Sequence, residues 1–163
     1  MVNDTQVLNN GYPMPSIGLG VYKITDEDME NVVNTAIETG YRAFDTAYFY
    51  GNEVALGKAL QNSGVDREDL FITSKLWNDY QGYDNTIEYF NQSLENLGLD
   101  YIDLFLIHWP CEKDGLYIES YKALEKLYDE GKVKAIGVCN FKQHHLEKLM
   151  EETEVVPHVN QIE

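Results

Sequence analysis

Strand-like and helix-like stretches alternate along this chain, with strand starts recurring at roughly 25 to 32 residues, and no other feature limits the fold as severely. Apolar runs at 16–20, 43–45, 70–75, 101–108, 133–139 and 159–163 read as strands, and helical periodicity fills the intervals. Such alternation implies a parallel sheet, because parallel neighbours need a crossover that returns the chain to the same sheet end. The densest run, Leu104-Phe105-Leu106-Ile107, suits a strand covered on both faces. Thr25 is placed to cap the first helix, with Asp26, Glu27 and Asp28 at its positive end and Gly40 as its terminator. The next helix spans 52–61 and turns Val54, Leu56, Ala59 and Leu60 inward. Asp84 or Asn85 caps a third, a fourth carries Tyr121, Leu124, Leu127 and Tyr128, and Asn140 caps a fifth carrying Leu146, Leu149 and Met150. Ahead of all these, Asn10-Gly11 between short extended segments signals a hairpin.

Parallel β/α repeats either open into a doubly wound sheet or close into a barrel. Polar residues end several successive strands here: Asp45, Lys75, His108 and Asn140. In a barrel those ends share one rim and converge, whereas an open sheet spreads them along an edge. Gly18-Leu19-Gly20 does not rescue the open-sheet reading, because Lys23 stands where a dinucleotide fingerprint needs its third glycine. The expected fold is therefore a parallel (β/α)8 TIM barrel, in one domain over 1–163. A complete barrel takes about 250 residues, so the 163 here are expected to supply the hairpin, about five β/α units and the start of strand six. The expectation is a fragment, a truncated reading frame, or one part of a split or swapped assembly in which a complementing chain supplies the remaining strands.

A net charge of −16 argues against nucleic acid and anionic membranes as partners. Cys111 and Cys139 are too few and too far apart for a disulfide framework or a C-x-x-C motif. Residues 1–5 lack the basic start and apolar run of a targeting segment, and no stretch approaches the roughly 20 apolar residues of a membrane span. A cytoplasmic protein is the expectation. His144, His145 and His158 offer no metal motif, since adjacent helical histidines point in different directions.

The rim residues suggest chemistry. A tyrosine is a poor acid at neutral pH, and a neighbouring ammonium stabilises its phenolate and lowers its pKa. Tyr50 with Lys75 makes such a pair, Asp45 can hold the lysine, and His108 can orient a carbonyl oxygen. Together they make a general acid aimed at a developing alkoxide. Taken singly, each has a plainer reading: a structural ion pair, a rim aromatic, a hydrogen-bonded histidine.

The stretch 40–57, with Asp45, Glu53 and Gly57 in place, resembles the first signature of the aldo-keto reductases. Lys134-Ala135-Ile136-Gly137-Val138-Cys139-Asn140-Phe141 resembles the second, and Asn160-Gln161-Ile162-Glu163 matches the segment after it. The resemblance implies NADPH-dependent reduction of a small aldehyde or ketone, as in the bacterial branch that reduces diketogluconate and methylglyoxal. It implies Tyr50 as proton donor, Lys75 and Asp45 as its tuning pair and His108 as the carbonyl-orienting group. Asp45, Cys139, Asn140 and Gln161 match cofactor-contacting positions, and Tyr22 and Trp109 match the substrate pocket. It also implies that the aromatic that stacks on the nicotinamide and the basic residues for the adenosine 2′-phosphate lie beyond residue 163, so that the chain alone binds NADPH weakly or is inactive. The alternative is a non-catalytic or decayed relative acting as a binding or structural subunit.

Overall fold

The computed structural model describes residues 4–163; the first three, read above as carrying no targeting signal, lie outside the described residues. In chain order the elements are β1 (Thr5–Val7), β2 (Pro13–Pro15), β3 (Leu19–Gly20), α1 (Asp26–Glu38), β4 (Ala43–Asp45), α2 (Glu53–Asn62), β5 (Phe71–Leu76), α3 (Tyr83–Leu97), β6 (Ile102–Ile107), α4 (Tyr117–Asp129), β7 (Val133–Cys139), α5 (Gln143–Glu152) and β8 (Val159–Gln161). β1 and β2 form an antiparallel hairpin, and β3 to β8 form one sheet in sequence order with every neighbour parallel.

That sheet curls into an incomplete barrel. β4 and β8 lie four strands apart, which in a flat sheet separates them by roughly 19 Å. Yet Gln161 Nε2 donates to Asp45 Oδ2 at 3.0 Å. Curling divides the apolar residues between two faces. Phe44, Ile72, Phe105, Ile107, Ile136 and Val138 pack outward against the helices, while Ala43, Phe71, Leu104, Leu106, Ala135 and Cys139 face inward. Leu8, Tyr12 and Met14 of the hairpin region pack on the inner set. The hairpin is tied down by the Asn10 amide, which donates to Lys134 O at 3.0 Å, and by the Tyr12 hydroxyl, which donates to Asp103 Oδ1 at 2.7 Å. Gly137 has no side chain for a steric reason: a Cβ there would meet Val159 O at 2.3 Å.

Several local expectations shift. Of the expected face of α2, Leu56, Ala59 and Leu60 are buried and are joined by Glu53 and Gly57, while Val54 is exposed. In α5 the inward residues are His145 and Leu149, and Met150 is exposed. Gly82, not Asp84 or Asn85, is the N-cap of α3. α5 begins after Lys142, and Asn140 instead adopts a left-handed conformation with φ 58° at the strand exit. β3 is two residues long rather than five. Among the described residues, no helix is long and apolar enough to cross a membrane.

Candidate active site

Inward-facing positions alternate along each strand. Ala43 and Phe71 face in, as do Leu104, Leu106 and Ala135. The same parity, continued to the carboxyl ends of the strands, selects Asp45, Lys75, His108, Cys139 and Gln161. The chemistry-bearing residues are thus the last members of the inward sets, which is why they meet above the core rather than under the helices.

Lys75 is buried, and its Nζ donates to Asp45 Oδ1 at 2.5 Å and to Thr46 O at 2.9 Å. Tyr50 sits in a short 3-10 turn at 48–50, immediately after β4, and its ring centroid lies 5.3 Å from Lys75 Nζ. The Tyr50 ring also meets His108 edge-on at 5.8 Å and Tyr22 at 4.7 Å. Tyr22, Tyr50, His108, Trp109, Cys139, Asn140 and Gln161 all line one cavity of about 420 Å³, with Asp45 and Lys75 hydrogen-bonded at its base. The structure therefore brings all nine sequence-selected residues to one place. Phe49 and Trp77 also line it, stacked on each other at 3.8 Å. Sequence reasoning missed both. Their signal was present in the two positions flanking Tyr50 and following Lys75, but which way a loop aromatic turns is decided by its neighbours.

Electrostatics departs from expectation at Tyr50. Burial, followed by the Asp45 carboxylate, pushes its pKa up to about 12 rather than down. The physical reason is that burial penalises the phenolate, and the Lys75 ammonium, shared with Asp45 and the Thr46 carbonyl, does not offset that cost. Tyr50 accordingly holds its proton firmly at neutral pH. Burial, reinforced by Lys75, lowers His108 to about 4, which leaves it a neutral imidazole. Its Nδ1 is buried without a hydrogen-bond partner. Burial also raises the Cys139 thiol to about 12, so it is a protonated wall of the cavity and not a nucleophile.

The cavity's donor set fits the carboxamide end of a nicotinamide. Gln161 and Asn140 present amides there, and the Asn140 amide makes only long contacts, at 3.5 Å to His108 O and 3.4 Å from Glu163 N. Among the described residues no lysine or arginine lines this cavity, so nothing in its wall matches a nucleotide phosphate.

Elsewhere, His144 and His145 both approach Glu112, at 3.4 and 3.5 Å, so these adjacent histidines do converge, contrary to the expectation from helical spacing. His145 Nδ1, however, accepts the Lys142 N–H at 3.1 Å. With Nδ1 so engaged, only Nε2 of His145 is left to face Glu112.

Residues 16–163 match the profile of the Aldo/keto reductase family. Glyoxal reductase of Bacillus subtilis (strain 168) is 52% identical over 163 residues, covering 99% of this chain and 58% of that protein. Methylglyoxal reductase DkgA of Escherichia coli O157:H7 is 49% identical, covering 100% of this chain and 59% of that protein. The crystal structure of an aldo/keto reductase from Brucella melitensis superimposes with a TM-score of 0.95 at 47% identity, covering 99% of this chain and 63% of that one. A Gox0644 mutant in complex with NADPH superimposes with a TM-score of 0.94 at 44% identity, covering 100% and 59%. The chain thus spans a little under three-fifths of the length of the curated relatives it matches. With a family profile matched over nine-tenths of its residues and relatives near half identity along its whole length, this chain belongs to the aldo/keto reductase family.

Proposed function

We propose that this chain carries the proton-donating rim of an NADPH-dependent reductase of small aldehydes and ketones. The single observation that supports the reading is the convergence of Tyr50, Lys75, Asp45 and His108 on one cavity. When bound, the nicotinamide would supply hydride; Asn140, Gln161 and Cys139 are the residues here that would hold its carboxamide. The remaining steps belong to the protein. His108, neutral and half-buried, offers an N–H to the substrate carbonyl oxygen and fixes its direction. The Tyr50 hydroxyl passes its proton to the alkoxide that develops there. A phenol of pKa about 12 is a weak acid, yet an alkoxide is a far stronger base, so the transfer runs downhill once the carbonyl is reduced. Lys75, held by Asp45, then stabilises the phenolate left behind. Tyr22, Phe49, Trp77 and Trp109 give the cavity apolar walls suited to a small substrate and to exclusion of water.

The relatives named as reductases of glyoxal and methylglyoxal support small dicarbonyls as the first substrates to try. A reducing compartment such as the cytoplasm accords with two free thiols. The test is NADPH oxidation, followed by absorbance, by the product of the complete reading frame that contains this chain. Turnover of glyoxal, methylglyoxal or a small aldehyde is the expected result. No turnover of any carbonyl in such a panel, with the protein folded, overturns the reading in favour of a non-catalytic binding or structural subunit.

A further inference from the structure

We infer that Asn52, acting with Thr46, is a positioning residue that clamps the loop carrying Tyr50 and ties it to Lys75 and Tyr22. Asn52 is the N-cap of α2, where an asparagine ordinarily turns its side chain to a free N–H of its own helix. Here it makes no such bond. Its amide points the other way, into the rim, and is buried. Asn52 Oδ1 accepts the hydroxyl of Thr46 at 2.8 Å, while Nδ2 donates to Val21 O at 2.9 Å and Ile24 O at 3.4 Å.

Two loops, 21–24 and 46–52, therefore meet on one side chain. The Thr46–Asn52 bond closes residues 46–52 on themselves, and Tyr50 lies inside that closed segment. Thr46 is fully buried, and its own carbonyl accepts Lys75 Nζ at 2.9 Å, so the same residue sets both the loop and the ammonium. On the other side, Val21 precedes Tyr22, whose ring packs on Tyr50 at 4.7 Å. If Asn52 served only to start the helix, its side chain would face α2, and a helix-capping loss would leave the rim undisturbed. Geometry at a reacting centre is unforgiving, since a displacement of about 1 Å can cost about a hundredfold in rate.

The kinetic half of this inference rests on the reading of Tyr50 as proton donor; the structural half does not, and the two are separable by experiment. Thr46→Val keeps the shape and deletes the donor, Thr46→Ser keeps the donor, and Asn52→Leu deletes the hub. In Thr46→Val and Asn52→Leu, amide hydrogen exchange in 46–52, where Tyr50 N and Gly51 N are hydrogen-bonded to Ala47 O and Tyr48 O, accelerates about tenfold or more relative to β6 and β7. Thr46→Ser exchanges like wild type. In steady state, kcat falls about 10- to 100-fold in Thr46→Val with the NADPH Kd within about twofold, and Thr46→Ser recovers to within about threefold. Unchanged exchange in 46–52 overturns the clamp whether or not the protein turns over. Accelerated exchange with kcat within twofold of an active wild type overturns the positioning role. An inactive wild type removes the proposed function and leaves the exchange result to decide the clamp.

Discussion

Gly57 lies in the middle of α2, where alanine is favoured by about 1 kcal/mol on helix propensity alone. The structure reverses that sign. A Cβ on Gly57 would lie 2.2 Å from the Leu97 carbonyl oxygen, 2.6 Å from its carbon and 2.9 Å from Leu97 Cα. These are backbone atoms at the end of α3, not the tip of a side chain that can swing aside. Restoring van der Waals contact requires α2 and α3 to part by roughly 1 Å, which opens the contacts among Leu56, Leu60 and Leu97. Overpacking of this kind costs about 2–3 kcal/mol. Set against the helical gain, Gly57→Ala loses about 1–2 kcal/mol and, in a chain of this size, about 2–8 °C in Tm. Thermal unfolding by circular dichroism reads the shift, and urea titration should show a lower midpoint with an unchanged slope. A variant that melts at or above the wild-type temperature would show that propensity prevails and that the close approach of the two helices is not a constraint.

Protonation of His108 should couple folding to pH. Its folded pKa, about 4, lies below the unfolded value near 6.5. The unfolded chain therefore binds the extra proton first, and stability is full above about pH 6.5 and declines as pH falls toward 4. His158, also lowered by burial, contributes in the same direction, so the diagnostic is a shallower decline in His108→Gln than in wild type, read as urea midpoints across that window; equal slopes would refute it. At the ion pair the side-chain exposure is 1% for Lys75 and 24% for Asp45, which makes the pair asymmetric. Asp45→Ala strands a buried ammonium and should cost about 3 kcal/mol, whereas Lys75→Met leaves a carboxylate that still reaches solvent and Gln161 and should cost about 1 kcal/mol. Equal costs by urea unfolding would contradict this ordering. Tyr12→Phe removes the hydroxyl bonded to Asp103 and should destabilise by about 1–2 kcal/mol, with the hairpin segment 5–15 exchanging its amides faster; unchanged stability and exchange would show that the hairpin docks by apolar packing alone.

Much of this was legible because the governing signals are local. The period of the apolar runs reveals each strand and helix, and the continuous run at Leu104 to Ile107 betrays a strand buried on both faces. The rim was legible because parity is strict along a strand, so Asp45, Lys75 and His108 inherit the inward direction of the residues before them. What escaped was decided by distant partners. Asn140 looks like a helix cap but needs a left-handed turn to leave β7, and Asn52, though it is the N-cap of α2, gives its side chain to Thr46, Val21 and Ile24 instead of to its own helix. Glu53 looks like an ordinary first-turn acid, yet it is buried against Ser74 and Asn96. The shift at Tyr50 came out opposite to expectation because a pairwise rule, ammonium beside phenol, omits the burial of the phenol and the carboxylate that already holds the ammonium.

The central claim is that the hydroxyl of Tyr50 is the source of the proton, and Tyr50→Phe tests it with the loss of one oxygen. The protein encoded by the complete reading frame is assayed for carbonyl turnover and, separately, for NADPH binding by fluorescence titration. Turnover should fall by at least about a hundredfold with the NADPH Kd within about threefold. Turnover within tenfold of wild type, at the same affinity, would contradict it and leave the cavity without its acid.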